Sequence, residues 1–411
     1  MIALVLAYLR ERRLTALINV ALLAMAVAML VLLIQFGRQA EERFMADAQE
    51  VDLVVGAKGS PLQLVLSSVY HLDQPTGNIP LGALAMLRGN PGVASAVPLA
   101  LGDSFDGFRI VGTEPEFLDL HHAGLASGRL FERSLEAVIG ATVAARTGAG
   151  IGQRFVGSHG LGGEGHDHDH APFEVVGILA PTGTVADRLI LTSLESVWDV
   201  HGIAHHDDGE GHDHEHGADH EHEHEAGPAM EPEITAILLR YRNPAAALRL
   251  PPMIDRQTDM QAASPASEGA RLIALFEGAI AAIGAFGWLL AATGGLAIFA
   301  ALLGAVRGRQ GDLALLRVMG AGRGFIWRAV ILEGLAMAVA GGAIGIAAAH
   351  GLIWAAVQTY PAVAEAGFSP ARFYAEEAAI LAAVAAIGLV ASLIPAAAIY
   401  RGSLMPILAR N

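Results

Sequence analysis

The last third of the chain contains three long apolar segments, at residues 272–306, 327–358 and 375–400. Each is long enough to cross the hydrocarbon core of a bilayer, which takes about 20 apolar residues in a helix. Residues 307–328, between the first two segments, form a short stretch with five arginines. Because backbone polar groups inside a bilayer must be satisfied internally, such segments form helices. The sequence therefore predicts a helical bundle with an arginine-bearing connection between two of its spans.

The composition excludes both a wholly soluble and a wholly membrane-embedded protein. The 411 residues are 53% hydrophobic, with a mean hydropathy of +0.46, yet 16% of them are charged. Residues 14–36 form a further apolar segment, longer than a signal-peptide core and followed by no small-residue cleavage site. We interpret it as a retained first span. Residues 1–13 mix apolar and basic side chains, which is typical of a helix lying on the inner membrane surface.

The distribution of arginine indicates the direction in which each span crosses the membrane. Positive charge accumulates in cytoplasmic loops, which favours the cytoplasm for residues 307–328 and for the tail, 401–411, with Arg401 and Arg410. The loop at 359–374 contains a single arginine, Arg372. Four spans with both termini in the cytoplasm agree with this distribution of arginine. We predict a multi-pass inner-membrane protein with one large domain, residues 37–271, on the periplasmic side between spans one and two.

The large domain is acidic and has a mixed α+β pattern. Residues 37–271 contain 15 Lys and Arg against 34 Asp and Glu, which excludes nucleic acid as a partner. The chain has no cysteine, and a domain of this size can bury a core without disulfides. β-branched runs bounded by turn residues predict strands at 51–55, 93–101, 108–112, 137–140, 153–156, 173–179, 189–192 and 234–241. Helices are predicted at 44–50, 62–69, 81–88, 116–120, 142–147, 193–200 and 244–250.

Two low-complexity segments, 158–170 and 201–225, hold 13 of the 17 histidines and are predicted to be loops inserted between strands. Imidazole and carboxylate alternate in them, and both are ligands of Zn²⁺ when deprotonated. We expect Zn²⁺ binding; a sensing or buffering role and a solvated acidic loop with incidental affinity both remain open. The proposed ligands are His159, His166, His168, His170, His205, His206, His212, His214, His216, His220, His222 and His224.

No intrinsic catalytic site or cofactor is predicted. A phosphate-binding loop needs a lysine before Ser or Thr, but Lys58 is the only lysine and glycine follows it. Any ATP hydrolysis must therefore come from a separate chain. We interpret the pairs His71 with Asp73 and His121 with His122 as surface or capping groups, with metal ligation as the alternative.

The ionisable residues of the spans do not predict a metal pathway. Glu277, Glu333 and His350, with Glu376 and Glu377 at an edge, are scattered and lie near span ends. Snorkelling or bonding between helices is the favoured role.

The glycines of the third span predict close helix packing. Gly341 and Gly345 are spaced so that another helix, within the chain or in a second copy, can approach closely.

Two motifs resemble the MacB-type, or type VII, ABC permeases, which include FtsX. Residues 312–334, DLALLRVMGAGRGFIWRAVILEG, are similar to the family's E-x-A-x-L-R-A-x-G-A pattern, with Asp312 in place of its glutamate. Residues 395–408, PAAAIYRGSLMPIL, resemble its P-A-x-x-A-x-x-x-x-P-x-x-x-L pattern. Segments of the large domain, 52–81, 87–99 and 173–188, look like a MacB-type porter domain.

The resemblance implies a homodimer or paired permease that docks on two cytoplasmic ABC ATPase subunits through a coupling helix, with lipid around the spans and a periplasmic binding protein or lipoprotein as a further partner. The residues expected to carry this coupling are Asp312, Leu313, Leu316, Arg317, Met319, Gly320 and Arg323. An apolar stripe, Leu313, Leu316 and Met319 or Gly320, suits an ATPase groove; a helix resting on lipid is the alternative for it.

The favoured function is the permease subunit of a mechanotransmitting ABC transporter, linked to metal homeostasis or to lipoprotein or envelope cargo. One alternative is an FtsX-like regulator of a periplasmic hydrolase. The other is a stand-alone membrane metal sensor or store that has no ATPase.

Overall fold

The computed structural model describes residues 7–8, 10–159, 171–201, 232–308, 311, 318–360, 363–364 and 367–401. The chain divides into two units. Met1–Glu41 and Ala274–Asn411 form the membrane unit, and Glu42–Ile273 form the outer domain.

The helices of both units are α1 (Arg13–Asp47), α2 (Pro61–Ser68), α3 (Gly82–Arg88), α4 (Glu116–Leu120), α5 (Ala141–Thr147), α6 (Leu194–Val200), α7 (Pro244–Gln257), α8 (Pro265–Gly308), α9 (Arg323–Thr359) and α10 (Ala375–Arg401). The strands are β1 (Leu53–Ala57), β2 (Ile79–Pro80), β3 (Val93–Phe105), β4 (Phe108–Thr113), β5 (Leu125–Gly128), β6 (Glu136–Ile139), β7 (Arg154–Phe155), β8 (Ser158–His159), β9 (Phe173–Leu179), β10 (Leu189–Thr192), β11 (Glu233–Ile234), β12 (Ala236–Tyr241) and β13 (Met260–Ala263).

The membrane unit is built from α1, α8, α9 and α10, which are all long and apolar enough to cross a bilayer. Their shared core includes Leu23 and Val27 of α1, Ile298 of α8, Ala338 of α9 and Val384 of α10, all fully buried. Each helix reaches beyond the apolar segment from which it was predicted. This happens because hydropathy marks only the part in contact with lipid, whereas charged and polar residues with good helix propensity continue the backbone hydrogen bonding.

The connection between α8 and α9 is shorter than predicted. Residues 323–328, expected in the cytoplasmic loop, are the first residues of α9. Gly322 has extended φ and ψ angles of −66° and 152° and precedes the first helical turn. The helix therefore begins before the apolar segment does.

The outer domain is organised around one mixed sheet. Its strand order is β13-β1-β12-β3-β4-β10-β6-β9-β5, with β7 paired to β9 and β8 paired to β3. The pairs β4–β10 and β6–β9 are parallel, and the other pairs of this sheet are antiparallel. Strands β2 and β11 form a separate two-stranded ribbon.

Both faces of the sheet are buried, as the alternation along β1 shows. Val54 lies in one apolar cluster with Leu64 of α2, whereas Leu53 and Val55 lie in another with Leu87 of α3. Because successive side chains of a strand point to opposite faces, helices cover both sides. The result is a layered α+β domain.

Candidate functional site

The arginine-bearing connection is described only at its two ends. Four residues proposed for coupling lie outside the described residues: Asp312, Leu313, Leu316 and Arg317. Beside them, Val318 and Met319 are 70% and 74% exposed. Gly320 has a φ of +99°, a conformation that glycine adopts readily, and it turns the chain shortly before α9 begins at Arg323. An exposed apolar pair is thus available on the cytoplasmic side.

The two histidine-rich segments are also described only where they begin. His159 is the last residue of β8, and His201 follows the last residue of α6. The remaining proposed ligands lie outside the described residues: His166, His168, His170, His205, His206, His212, His214, His216, His220, His222 and His224.

Both histidine-rich segments begin beside Asp103, a residue of β3 that is 5% exposed. His159 is the register partner of Asp103 in the antiparallel pairing of β8 with β3. The Nε2 atom of His201 lies 3.8 Å from Asp103 Oδ1. Within the described ranges, no group of three or more His, Cys, Asp or Glu side chains is arranged to hold a metal.

Gly341 and Gly345 pack against α1 of the same chain. A Cβ added to Gly341 would lie 3.0 Å from Leu23 Cβ, and one added to Gly345 would lie 2.6 Å from the carbonyl oxygen of Ala24 and 2.7 Å from Val27 Cβ. Absence of a side chain at these positions lets the two helix backbones approach. The glycine pair thus has a partner within the chain.

His71 and His121, which were interpreted as surface or capping groups, are buried, which corrects the surface interpretation. His121 does cap the C-terminus of α4 through its backbone N–H. His71 and His121 are 8% and 5% exposed. Burial lowers the pKa of His121 to about 4. Burial, with a smaller contribution from the Arg109 guanidinium, lowers the pKa of His71 well below its ordinary value. Histidine carries no sequence signal for burial, so the pattern could not separate these two residues from the more exposed His122.

The ionisable residues of the spans are not all scattered, contrary to expectation. His350 Nε2 of α9 and Glu377 Oε2 of α10 lie 3.0 Å apart, with side chains 11% and 4% exposed. Glu277 of α8 is exposed. His350 and Glu377 therefore bond α9 to α10.

Two family models together match most of the chain. The MacB-like periplasmic core domain matches residues 16–246, more than half of the sequence. The FtsX-like permease C-terminal domain matches residues 284–407. A search of curated proteins gave no match.

Several solved structures are similar to the outer part of the chain. The periplasmic region of MacB from Actinobacillus actinomycetemcomitans is 11% identical, with 55% of this chain and 95% of that chain covered and a TM-score of 0.34. The extracellular domain of YknZ, a noncanonic ABC-type transporter from Gram-positive bacteria, is 13% identical, with coverages of 52% and 98% and a TM-score of 0.30. A domain of a permease-like protein from Porphyromonas gingivalis is 13% identical, with coverages of 53% and 88% and a TM-score of 0.25.

The family models and the fold confirm the predicted architecture of four apolar helices with an α+β domain between the first and the second. Permeases of this family work with cytoplasmic ABC ATPases. The chain therefore belongs to the MacB/FtsX-like, type VII, family of ABC-transporter permeases, and it is a multi-pass inner-membrane protein with a large periplasmic domain.

Proposed function

We propose that this permease couples ATP hydrolysis by a separate cytoplasmic ATPase dimer to a conformational change of its periplasmic domain, acting as a homodimer or with a paired permease. The lengths of α1 and α8, 35 and 44 residues, are the observation that carries this proposal. At about 1.5 Å per residue they measure roughly 50 and 65 Å, against about 30 Å for the bilayer core. A continuous helix longer than the bilayer can carry movement from one side of it to the other.

The conformational change driven by the ATPase would reach the permease through the connection between α8 and α9. In the sequence, Leu313, Leu316 and Met319 recur at helical spacing, and Arg317 and Arg323 flank them. The exposure of Val318 and Met319 supports an apolar contact with a soluble partner. An apolar stripe that fits a groove is a common mode of helix recognition.

Replacing Leu316 tests this contact. We expect Leu316→Asp to abolish co-purification of the ATPase from detergent, because a buried unpaired carboxylate opposes docking. Leu316→Met, which conserves volume and polarity, should retain the ATPase. Association unchanged by Leu316→Asp would contradict the proposed entry point. Absence of any nucleotide-hydrolysing partner from the purified unchanged chain would instead favour a stand-alone membrane protein.

We also propose that the conformational change of the periplasmic domain is linked to zinc binding by the histidine-rich segments. The support is the ligand chemistry of these segments. In addition, the first histidine of each segment, His159 and His201, lies next to Asp103. Because the two segments start side by side, one ion can take ligands from both. The carboxylate of Asp103 would stabilise positive charge at that point.

Deleting residues 163–170 and 205–224 tests the zinc proposal. We expect most of the bound Zn²⁺, measured by elemental analysis of the purified chain, to be lost. A matched variant with every histidine of the same residues replaced by Asn retains the carboxylates and should lose about as much. Zinc retained by the Asn variant would show that the acidic groups alone bind it, and unchanged zinc-dependent growth of the deletion strain would remove the biological role.

A further inference from the structure

A buried polar cluster joins three helices at the periplasmic end of the membrane unit. Glu377 of α10 contacts His350 of α9 at 3.0 Å. Gln35 of α1 donates one amide hydrogen to the Arg372 carbonyl oxygen at 2.7 Å and the other to the second carboxylate oxygen of Glu377. Gln35 and Glu377 are 0% and 3% exposed. A buried carboxylate is tolerated only when it is paired and hydrogen-bonded, so these partners hold one another in place.

His350 is held on both sides of its ring. Nδ1 lies 2.7 Å from the carbonyl oxygen of Pro370, which can only accept, and Nε2 lies 3.0 Å from Glu377 Oε2. Removing His350 or Glu377 would leave the other side chain without its buried partner.

A second set of contacts continues along α1. Ser369 donates its backbone N–H to Gln39 Oε1 at 2.7 Å, and Gln39 Nε2 donates to the Ser369 carbonyl oxygen at 3.1 Å. Gln39 Nε2 also donates to Gln35 Oε1 at 2.6 Å. Arg38 forms an ion pair with Glu376, with Nε donating at 3.0 Å. We call this whole cluster the clasp; its side chains are Gln35, Arg38, Gln39, His350, Glu376 and Glu377.

The clasp differs in kind from the contact of α1 with α9 at Gly341 and Gly345. There the absence of side chains lets Leu23, Ala24 and Val27 of α1 approach α9 closely. Hydrogen bonds and ion pairs add contacts that depend on distance and angle. The clasp therefore helps to set the position of α1 along α9 and α10.

We propose that the clasp is a positioning device that stays closed and makes α1 move together with α9 and α10 as one piece. A displacement of α9 near its cytoplasmic start is then delivered to α1, the helix that continues to Asp47. This role rests on the proposed function. The closure of the clasp itself does not, and it can be measured without an ATPase.

The first test asks whether the clasp is closed in the membrane-embedded chain when no nucleotide is present. The rings of Phe36 and Phe368 are adjacent, with centroids 4.9 Å apart, and the chain has no cysteine of its own. A short thiol-to-thiol cross-linker with a cleavable disulfide in its spacer should rapidly join the cysteines of a Phe36→Cys, Phe368→Cys variant, and adding Glu377→Leu should slow this reaction at least about tenfold. The exposed Glu277→Leu is the control and should leave the rate unchanged. Equal rates in all three chains would overturn the proposal whatever the function of the protein.

Transmission is tested in the complex with the ATPase, by hydrogen exchange of the periplasmic domain with and without ATP. Arg38→Glu should lose the ATP-dependent change while still binding the ATPase, and Arg38→Glu combined with Glu376→Arg should recover it. The 36–368 cross-link should preserve the change and restore it in Glu377→Leu until a reductant is added. A cross-link that blocks the response of the otherwise unchanged chain would show that the clasp opens during the cycle, and would overturn the proposal. A wild-type complex without any ATP response would refute the proposed function instead.

Discussion

Two buried histidines make the periplasmic domain sensitive to acid. His71 and His121 have pKa values lowered mainly by burial. A group whose pKa is lower in the folded state binds protons more readily when unfolded. Its stabilisation is complete above the unfolded pKa of about 6.5 and is lost as the pH falls towards the folded value, which for His121 is about 4. Stability of the domain should therefore fall between pH 7 and pH 5.

Replacing His121 tests this dependence. We expect His121→Phe, which can pack on Phe117, whose ring centroid lies 4.6 Å away, to reduce the loss of melting temperature between pH 7 and pH 5 by a few degrees, since about 1 kcal/mol shifts such a domain by about 2–4 °C. His122→Asn is the comparison and should change this loss less. His122 is 67% exposed in its side chain and makes the smaller contribution to the lowered pKa of His121, and Asn tolerates its φ of +48°. Calorimetry of the full chain in detergent gives both values. A loss as large in His121→Phe as in the unchanged chain would contradict the account.

Packing of α1 on α9 depends on one glycine more than on its neighbours. Gly345→Ala places a methyl group 2.6 Å from the Ala24 carbonyl oxygen, whereas Gly351→Ala, in the same helix, meets no described residue within 4 Å. Both changes improve helix propensity by about 1 kcal/mol. We expect Gly345→Ala to lower the melting temperature of the detergent-solubilised chain and Gly351→Ala to leave it unchanged or raise it. Equal effects of the two would show that α1 does not lie against Gly345.

Elements with a strong local pattern were predicted well, and those made by distant pairing were not. Strand β13 was missed because Met260–Ala263 has no β-branched residue; its pairing with β1 holds it in the sheet. Helix α7 was predicted to end at Leu250, before Pro251 and Pro252, but it continues to Gln257. Burial of Leu250 and Ile254, one turn apart on one face, stabilises it across the prolines.

At the scale of the whole molecule, hydropathy and arginine distribution were enough to predict the spans and their direction. The β-branched runs and helical spacing predicted the α+β class of the periplasmic domain. The clasp was not predictable. Gln35 and His350 are 315 residues apart and His350 and Glu377 are 27 apart, so no local pattern records that they meet. The sequence also could not predict that both histidine-rich segments begin beside Asp103. This depends on the pairing of β8 with β3 and on where α6 ends.

The proposed function requires that ATP hydrolysis in the cytoplasm moves the periplasmic domain relative to the membrane unit. The distance between two spin labels in the complex with its ATPase measures this movement, with one label on Ala126→Cys in the exposed strand β5 and one on Tyr360→Cys, where Tyr360 is 61% exposed at the end of α9. We expect the distance distribution to shift when ATP is added, and we expect Leu316→Asp to abolish this shift. An unchanged distribution during continuing ATP hydrolysis would contradict the proposed function.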